Sequence, residues 1–205
     1  MKRPIIFLSI FSILFAQRPG DAAVRAGVDA FYNYEFDKSI EILSQARKDF
    51  PDHPGVHVTW AAAHWRRNEA YLPQDEIYSN LDANLDEIQK IYEDQLEKFP
   101  DHPEYMLYMG TAKGLDARIL LGQKKWVPTL YAAFQGFRII QKAFEKDPYL
   151  TDAYLPIGIV EYYAGLSNVL VQAGAGMFGL GASRAEGVRK IEVAATKSKW
   201  AWTEA

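Results

Sequence analysis

Four histidines and a scatter of carboxylates set the chemistry this chain could attempt. His53 and His57 stand four residues apart and His57 and His64 seven apart, which puts the second pair on one face of a helix. A zinc site takes three or four such ligands, and no third one accompanies them at a fixed spacing. His53 and His102 belong instead to two copies of one pentapeptide, where a single structural role explains both. Asp82-x-Asn84-x-Asp86 with Glu93 imitates part of a calcium loop, but Glu87 stands where that loop needs glycine. The stretch also keeps a helical apolar period through Leu81, Leu85, Ile88 and Tyr92, so its acids read as a solvated helix face. No metal is expected.

Gly174-Ala175-Gly176-Met177-Phe178-Gly179 is a literal G-x-G-x-x-G lying after Val169-Leu170-Val171. A dinucleotide site needs a strand, a turn, a helix and a second strand ending in an acid. Here the next helix leads only to Thr196-Lys197-Ser198-Lys199-Trp200, so no cofactor is expected. The chain has no G-x-S-x-G nucleophile elbow and no cysteine. Its carboxylates are spaced as a helix surface spaces them, and the expectation is a protein that is not an enzyme.

The ends and the charge narrow the class further. Met1-Lys2-Arg3 precedes an uncharged apolar run from Ile5 to Ala16, the pattern of a signal peptide cleaved near Ala16. The run is too short to span a bilayer, which takes about 20 residues; a short anchor or a buried first helix is its other reading. Loss of residues 1–16 removes Lys2 and Arg3 and takes the formal charge from −3 to −5. An acidic balance argues against nucleic acid as a partner. The expected location is periplasmic or associated with the cell envelope.

What must position these residues is a repeat. Phe50-Pro51-Asp52-His53-Pro54 recurs as Phe99-Pro100-Asp101-His102-Pro103, and Pro148 keeps the same beat. Eight residues before each proline lie Leu43, Tyr92 and Ile140; five before lie Ala46, Gln95 and Ala143. Steps of three and four mark one face of a helix that the proline then stops. A second helix starts after each proline, with Asp52 and Asp101 placed as N-caps and Glu104 in capping-box spacing. Nine residues after come Trp60, Met109 and Ile157, and ten after come Ala61, Gly110 and Gly158. That large-small pair lets a neighbouring helix approach closely. Phe50 and Phe99 are expected to seal the joints, and the third junction, without a phenylalanine, to pack differently.

These columns resemble the tetratricopeptide repeat family, whose unit is a helix-turn-helix with a large-small pair, a small residue in the second helix and a closing proline. Gly27, Ser39, Ala46 and Pro51 stand at the signature positions of a first unit. The resemblance implies an all-α, right-handed solenoid of antiparallel helix pairs over residues 17–205. Its units span 21–50, 52–99, 101–147 and about 151–197, with the surplus length at Tyr71–Asp75, Leu121–Trp126 and 164–183. Lys199-Trp200-Ala201-Trp202-Thr203-Glu204-Ala205 looks like the start of a fifth unit, as in a fragment of a longer protein or one needing a partner at that end.

In such a family the first helices of the units line a groove that takes a peptide or a partner helix. The groove-facing positions map to Val58, Ala62 and Trp65, to Glu104, Leu107 and Thr111, and to Asp152, Leu155, Ile159 and Tyr162. The lysines and asparagine of the family's clamp for chaperone tails are missing from these places. The resemblance therefore implies a scaffold that captures an apolar or amphipathic protein segment through aromatic anchors. The rival reading is a small-ligand or lipid-binding protein with residues 164–183 as its lid. That uncharged run could also touch a membrane surface.

Overall fold

A computed structural model of the chain describes residues 18–166, 176, 179 and 181–205. The signal-peptide reading of 1–16, most of the lid at 164–183 and all of the glycine motif but Gly176 and Gly179 lie outside the described residues. Within them the protein is all-helical, with no strand. The helices are α1 (Asp21–Tyr32), α2 (Phe36–Asp49), α3 (Val56–Tyr71), α4 (Gln74–Lys98), α5 (Pro103–Gly122), α6 (Trp126–Lys146), α7 (Tyr154–Leu166) and α8 (Arg184–Lys197). Consecutive helices pack against one another along the series.

Each second helix buries the stripe its spacing prescribes. In α2 the buried positions are Ser39, Leu43 and Ala46; in α4 they include Leu81, Leu85, Ile88 and Tyr92. Steps of three and four keep these side chains on one side, and each large one contributes about 1.5–3 kcal/mol by leaving water. The acids of the would-be calcium loop, Asp82, Asp86 and Glu93, stay exposed on the opposite side of α4. Among the described residues no cluster of His, Asp and Glu could hold a metal ion, and no helix is long and apolar enough to cross a membrane.

The small-residue column marks where helices touch. A Cβ on Gly110 would lie 2.8 Å from the Gly136 carbonyl oxygen of α6, and one on Gly136 would lie 2.7 Å from the Gly110 oxygen. The α7–α8 crossing repeats the device, with a Cβ on Gly187 meeting the Gly158 oxygen at 2.7 Å. In the first pair the Ser39 hydroxyl donates to the Gly27 carbonyl at 2.8 Å. Side-chain atoms at these points would push the axes apart, and the flanking apolar stripes would lose contact.

Three expectations need correction. The surplus length of the second and third units is not inter-helix loop: α3 ends at Tyr71 and α4 begins at Gln74, and α4 runs to 25 residues. The extra residues continue the apolar period, so helix satisfies their backbone groups where a loop would leave them open. Asp52 and Asp101 are not N-caps. Gly55 precedes α3, and the cap of α5 is His102, whose ring accepts from the Tyr105 N–H. Phe99 does not seal its joint and is 53% exposed. Beyond α8 lie residues 199–205, expected from the sequence to start a fifth unit. The chain leaves α8 extended at Ser198, makes one 3-10 turn over Ala201–Thr203, and lies back on α1 and α3.

The third junction does pack differently. Leu150 is buried there, in one cluster with Met106, Leu107, Ile140 and Ile157.

Candidate functional site

The site grows out of the first turns of α1 and α5 and the 3-10 turn Thr151–Ala153 that leads into α7. Measured from the small residues Gly27, Gly110 and Gly158, the same backward step of six lands on Asp21, Glu104 and Asp152. An acid in a first turn is favoured by the helix dipole and by free N–H groups. In three dimensions each of these acids holds a partner from outside its own helix.

Asp152 holds backbone. Its Oδ1 accepts from the amides of Trp200 and Ala201, both at 2.8 Å, and Oδ2 from that of Lys199 at 3.4 Å. Asp21 holds charge: its Oδ2 accepts from Lys199 Nζ at 2.6 Å, and its Oδ1 bonds His53 Nε2 at 2.9 Å. Burial opposes ionisation of Asp21, but the bonds from Lys199 and His53 outweigh it and hold the carboxyl below its ordinary value. Glu104 pairs with Arg18. Asp152 and Asp21 thus hold the segment that follows α8 by its amides and its lysine, while Glu104 holds Arg18 near the other end of the chain.

The histidine is part of the frame. The Gly55 N–H donates to His53 Nδ1 at 3.2 Å, so the neutral ring carries its proton on Nε2 and donates it to Asp21. Burial pushes the His53 pKa below the usual value, and the carboxylate offsets only part of that. His57 is occupied separately. Its Nδ1 accepts from Arg47 Nε and its Nε2 faces the Pro51 carbonyl at 2.8 Å.

The anchor is Trp200. Its half-buried ring packs against the α1–α2 cluster of Val24, Val28 and Leu43 and against the α3–α5 cluster of Val58, Ala61 and Tyr108. The Arg25 guanidinium lies 4.6 Å from the ring centre and donates to the Lys199 carbonyl at 2.7 Å. His53 meets the ring edge-on at 5.9 Å. Further along, the Tyr32 hydroxyl donates to Glu204 Oε1 at 2.8 Å; burial and that carboxylate push the phenol up to about 12.

Beside the anchored segment two hollows share Phe31, Tyr32, Ala62 and Glu204. The smaller, about 120 Å³, adds Val28, Thr59 and Trp200; the larger, about 480 Å³, opens toward Tyr34, Phe36, Trp65 and Arg66. The indole N–H of Trp65 is buried with no hydrogen-bond partner among the described residues. A buried donor left unpaired is unfavourable by about 1–3 kcal/mol.

The ten positions expected from the sequence divide sharply. Asp152 grips the C-terminal segment, and Ala62 and Trp65 line the hollows. Val58 and Leu107 are core residues, 6% and 3% exposed, and offer a ligand no surface. Glu104 is taken by Arg18, and the Thr111 hydroxyl by the Leu107 carbonyl. On α7, Leu155 and Tyr162 are partly exposed and Ile159 is exposed, but no described contact joins them to the segment. Asp21, Arg25, Tyr32 and His53 were missed. The same register applied to the first unit would have reached Val24, Val28 and Phe31, and two of those line the hollows.

Compared with models of known protein families and with curated protein sequences, the chain matches none.

Proposed function

We propose that this protein is a non-enzymatic interaction scaffold, a tetratricopeptide-like solenoid of antiparallel helix pairs whose first-helix face takes a short peptide. One observation carries the reading: residues 199–204 already lie on that face, with amides on Asp152, lysine on Asp21 and tryptophan between two clusters. Chain captured in this way combines carboxylate acceptors for its backbone amides with one aromatic anchor, two ingredients of peptide recognition. The partner segment has the chemistry of the internal one: a basic residue followed by an aromatic.

A Trp200→Ala chain, its own anchor removed, should take up a labelled peptide of sequence Lys-Trp-Ala-Trp-Thr-Glu-Ala, measured by fluorescence anisotropy. Adding Asp152→Ala should abolish the uptake while circular dichroism stays unchanged. Equal binding with and without Asp152 sinks the assignment. The envelope location goes with this proposal, and sequencing the mature N-terminus from exported protein tests it.

The rival small-ligand reading has one point in its favour, the 480 Å³ hollow, which is within the size range of ligand sites. Its lining comes from α1, α2, α3 and the C-terminal segment and includes no described residue of 164–183. A ligand bound there would raise the melting temperature of the wild-type chain and lose that effect in Trp65→Ala, which removes the ring from the lining.

A further inference from the structure

The N-terminal half of α6 departs from the packing seen elsewhere. Its buried face, Ala132, Gly136, Ile140 and Ala143, lies against α5. Around the cylinder from that face, Trp126, Val127, Leu130 and Tyr131 are 65%, 77%, 72% and 65% exposed. At 100° per residue these four fall within an arc of about 140°, one continuous apolar stripe on a helix surface. Single exposed apolar residues are ordinary, but a contiguous set marks a place of contact.

Charge decides what kind of contact. Between Asp116 and Glu145 the sequence contains Arg118, Lys124, Lys125, Arg138 and Lys142 and no acid, in a chain whose formal charge is −3. Lys124 and Lys125 form the turn that leads into the stripe. Both are exposed, and neither is in an ion pair among the described residues. Further down the hairpin α5 and α6 cross at Gly110 and Gly136 in backbone contact, and Pro128 sits in the first turn of α6, where its missing N–H breaks no helical bond. The result is a hairpin tip with two cations at its end and tryptophan, valine, leucine and tyrosine on its flank. Tryptophan and tyrosine favour the headgroup layer of a bilayer, where the ring body is apolar and its N–H or O–H stays wet. A cationic rim beside such a face is the pattern of a helix lying in a membrane surface.

We propose that the tip of the α5–α6 hairpin, residues 121–131, seats the protein on an anionic lipid surface, with the apolar stripe among the upper acyl carbons and Lys124 and Lys125 on the headgroups. The inference is independent of the peptide-binding reading, whose residues lie on α1, α3, α7 and the C-terminal segment. It also puts membrane contact on an element other than residues 164–183.

The test is flotation of the full chain with vesicles of phosphatidylglycerol mixed into phosphatidylcholine, against phosphatidylcholine alone, at low and high salt. The chain should float with the anionic vesicles and release at high salt. Lys124→Gln with Lys125→Gln should weaken partition about 30-fold, each lysine contributing about 5-fold near an anionic surface. Val127→Asp with Leu130→Asp should abolish flotation while helix content and melting temperature hold, since both side chains are exposed. Trp126→Phe should still float but lose the blue shift of tryptophan emission on binding. Three results overturn the proposal: no flotation with anionic vesicles, equal flotation of the aspartate variant, or a lipid-free dimer in sedimentation that the aspartate variant dissolves. The last would assign the face to a second copy of the chain.

Discussion

The two copies of Phe-Pro-Asp-His-Pro are the same five residues in two different settings. In the first, His53 is 3% exposed and bonded to Asp21, Asp52 accepts from Gln95 Nε2 at 2.8 Å, and Phe50 packs against Gly20. In the second, His102 caps α5, Asp101 sits at φ 66° in an exposed ion pair with Lys146, and Phe99 lies stacked on Tyr105 at 6.3 Å with half its surface in water. The next residue accounts for where the helix begins. Glu104 suits a first turn and α5 starts at Pro103, whereas Gly55 delays α3 to Val56. What covers each junction accounts for the rest: the first lies under the returning C-terminal segment, the second does not. Identity of sequence therefore sets the stop signal for the preceding helix and leaves the role of every side chain to its neighbours.

The largest expected effect removes the partner on which the first junction depends. Asp21→Ala leaves the buried His53 donor unpaired and Lys199 without its carboxylate, and should lower unfolding free energy by about 3 kcal/mol. Lys146→Ala, the matching cut at the second junction, should change it by less than about 0.5 kcal/mol, as exposed pairs do. Urea denaturation of both variants measures the gap, and similar losses would erase the distinction between the junctions.

Next come the histidines themselves. His53→Ala should destabilise by about 2 kcal/mol through a lost buried bond, against about 0.5–1 kcal/mol for the cap lost in His102→Ala.

A pH series sharpens the same contrast. Burial holds His53 below its ordinary 6.5, so the unfolded chain takes up the proton first as pH falls. Its contribution is complete above that ordinary value and is lost as the pH drops through the folded one. Asp21 is held low and stays ionised across this window. His57, His64 and His102 are shifted down by burial as well, so wild-type stability should decline on acidification from neutral pH. His53→Gln should flatten that decline more than His102→Gln, read from urea midpoints.

The smallest effect is one of sign. Asp101→Gly relieves a left-handed backbone and should gain about 0.5 kcal/mol, while Asp52→Gly removes the acceptor of buried Gln95 and should lose about 1 kcal/mol. Melting temperatures that move in the same direction for both would contradict the assignment.

Local chemistry made part of this molecule legible. Prolines at a fixed beat stop the second helices, and apolar residues at steps of three and four say which face each helix buries. Gly27, Ala61, Gly110 and Gly158 announce places of close approach, because only a small residue admits a neighbour there. Such signals depend on a residue and those within a turn or two of it, and one chain displays them fully.

Tertiary structure decided what lay against each face. The spacing that placed Val58 and Leu107 on an inner surface could not say that core clusters would cover them. Asp21, Glu104 and Asp152 share a register, yet their ligands include Lys199, Arg18 and the amides of 199–201, far away in sequence. Nothing within a few residues of Trp200 says that its ring will anchor between α1 and α3. That placement comes with the contacts its segment makes to Asp21, Arg25, His53 and Asp152, and such contacts exist only once the chain has folded back on itself.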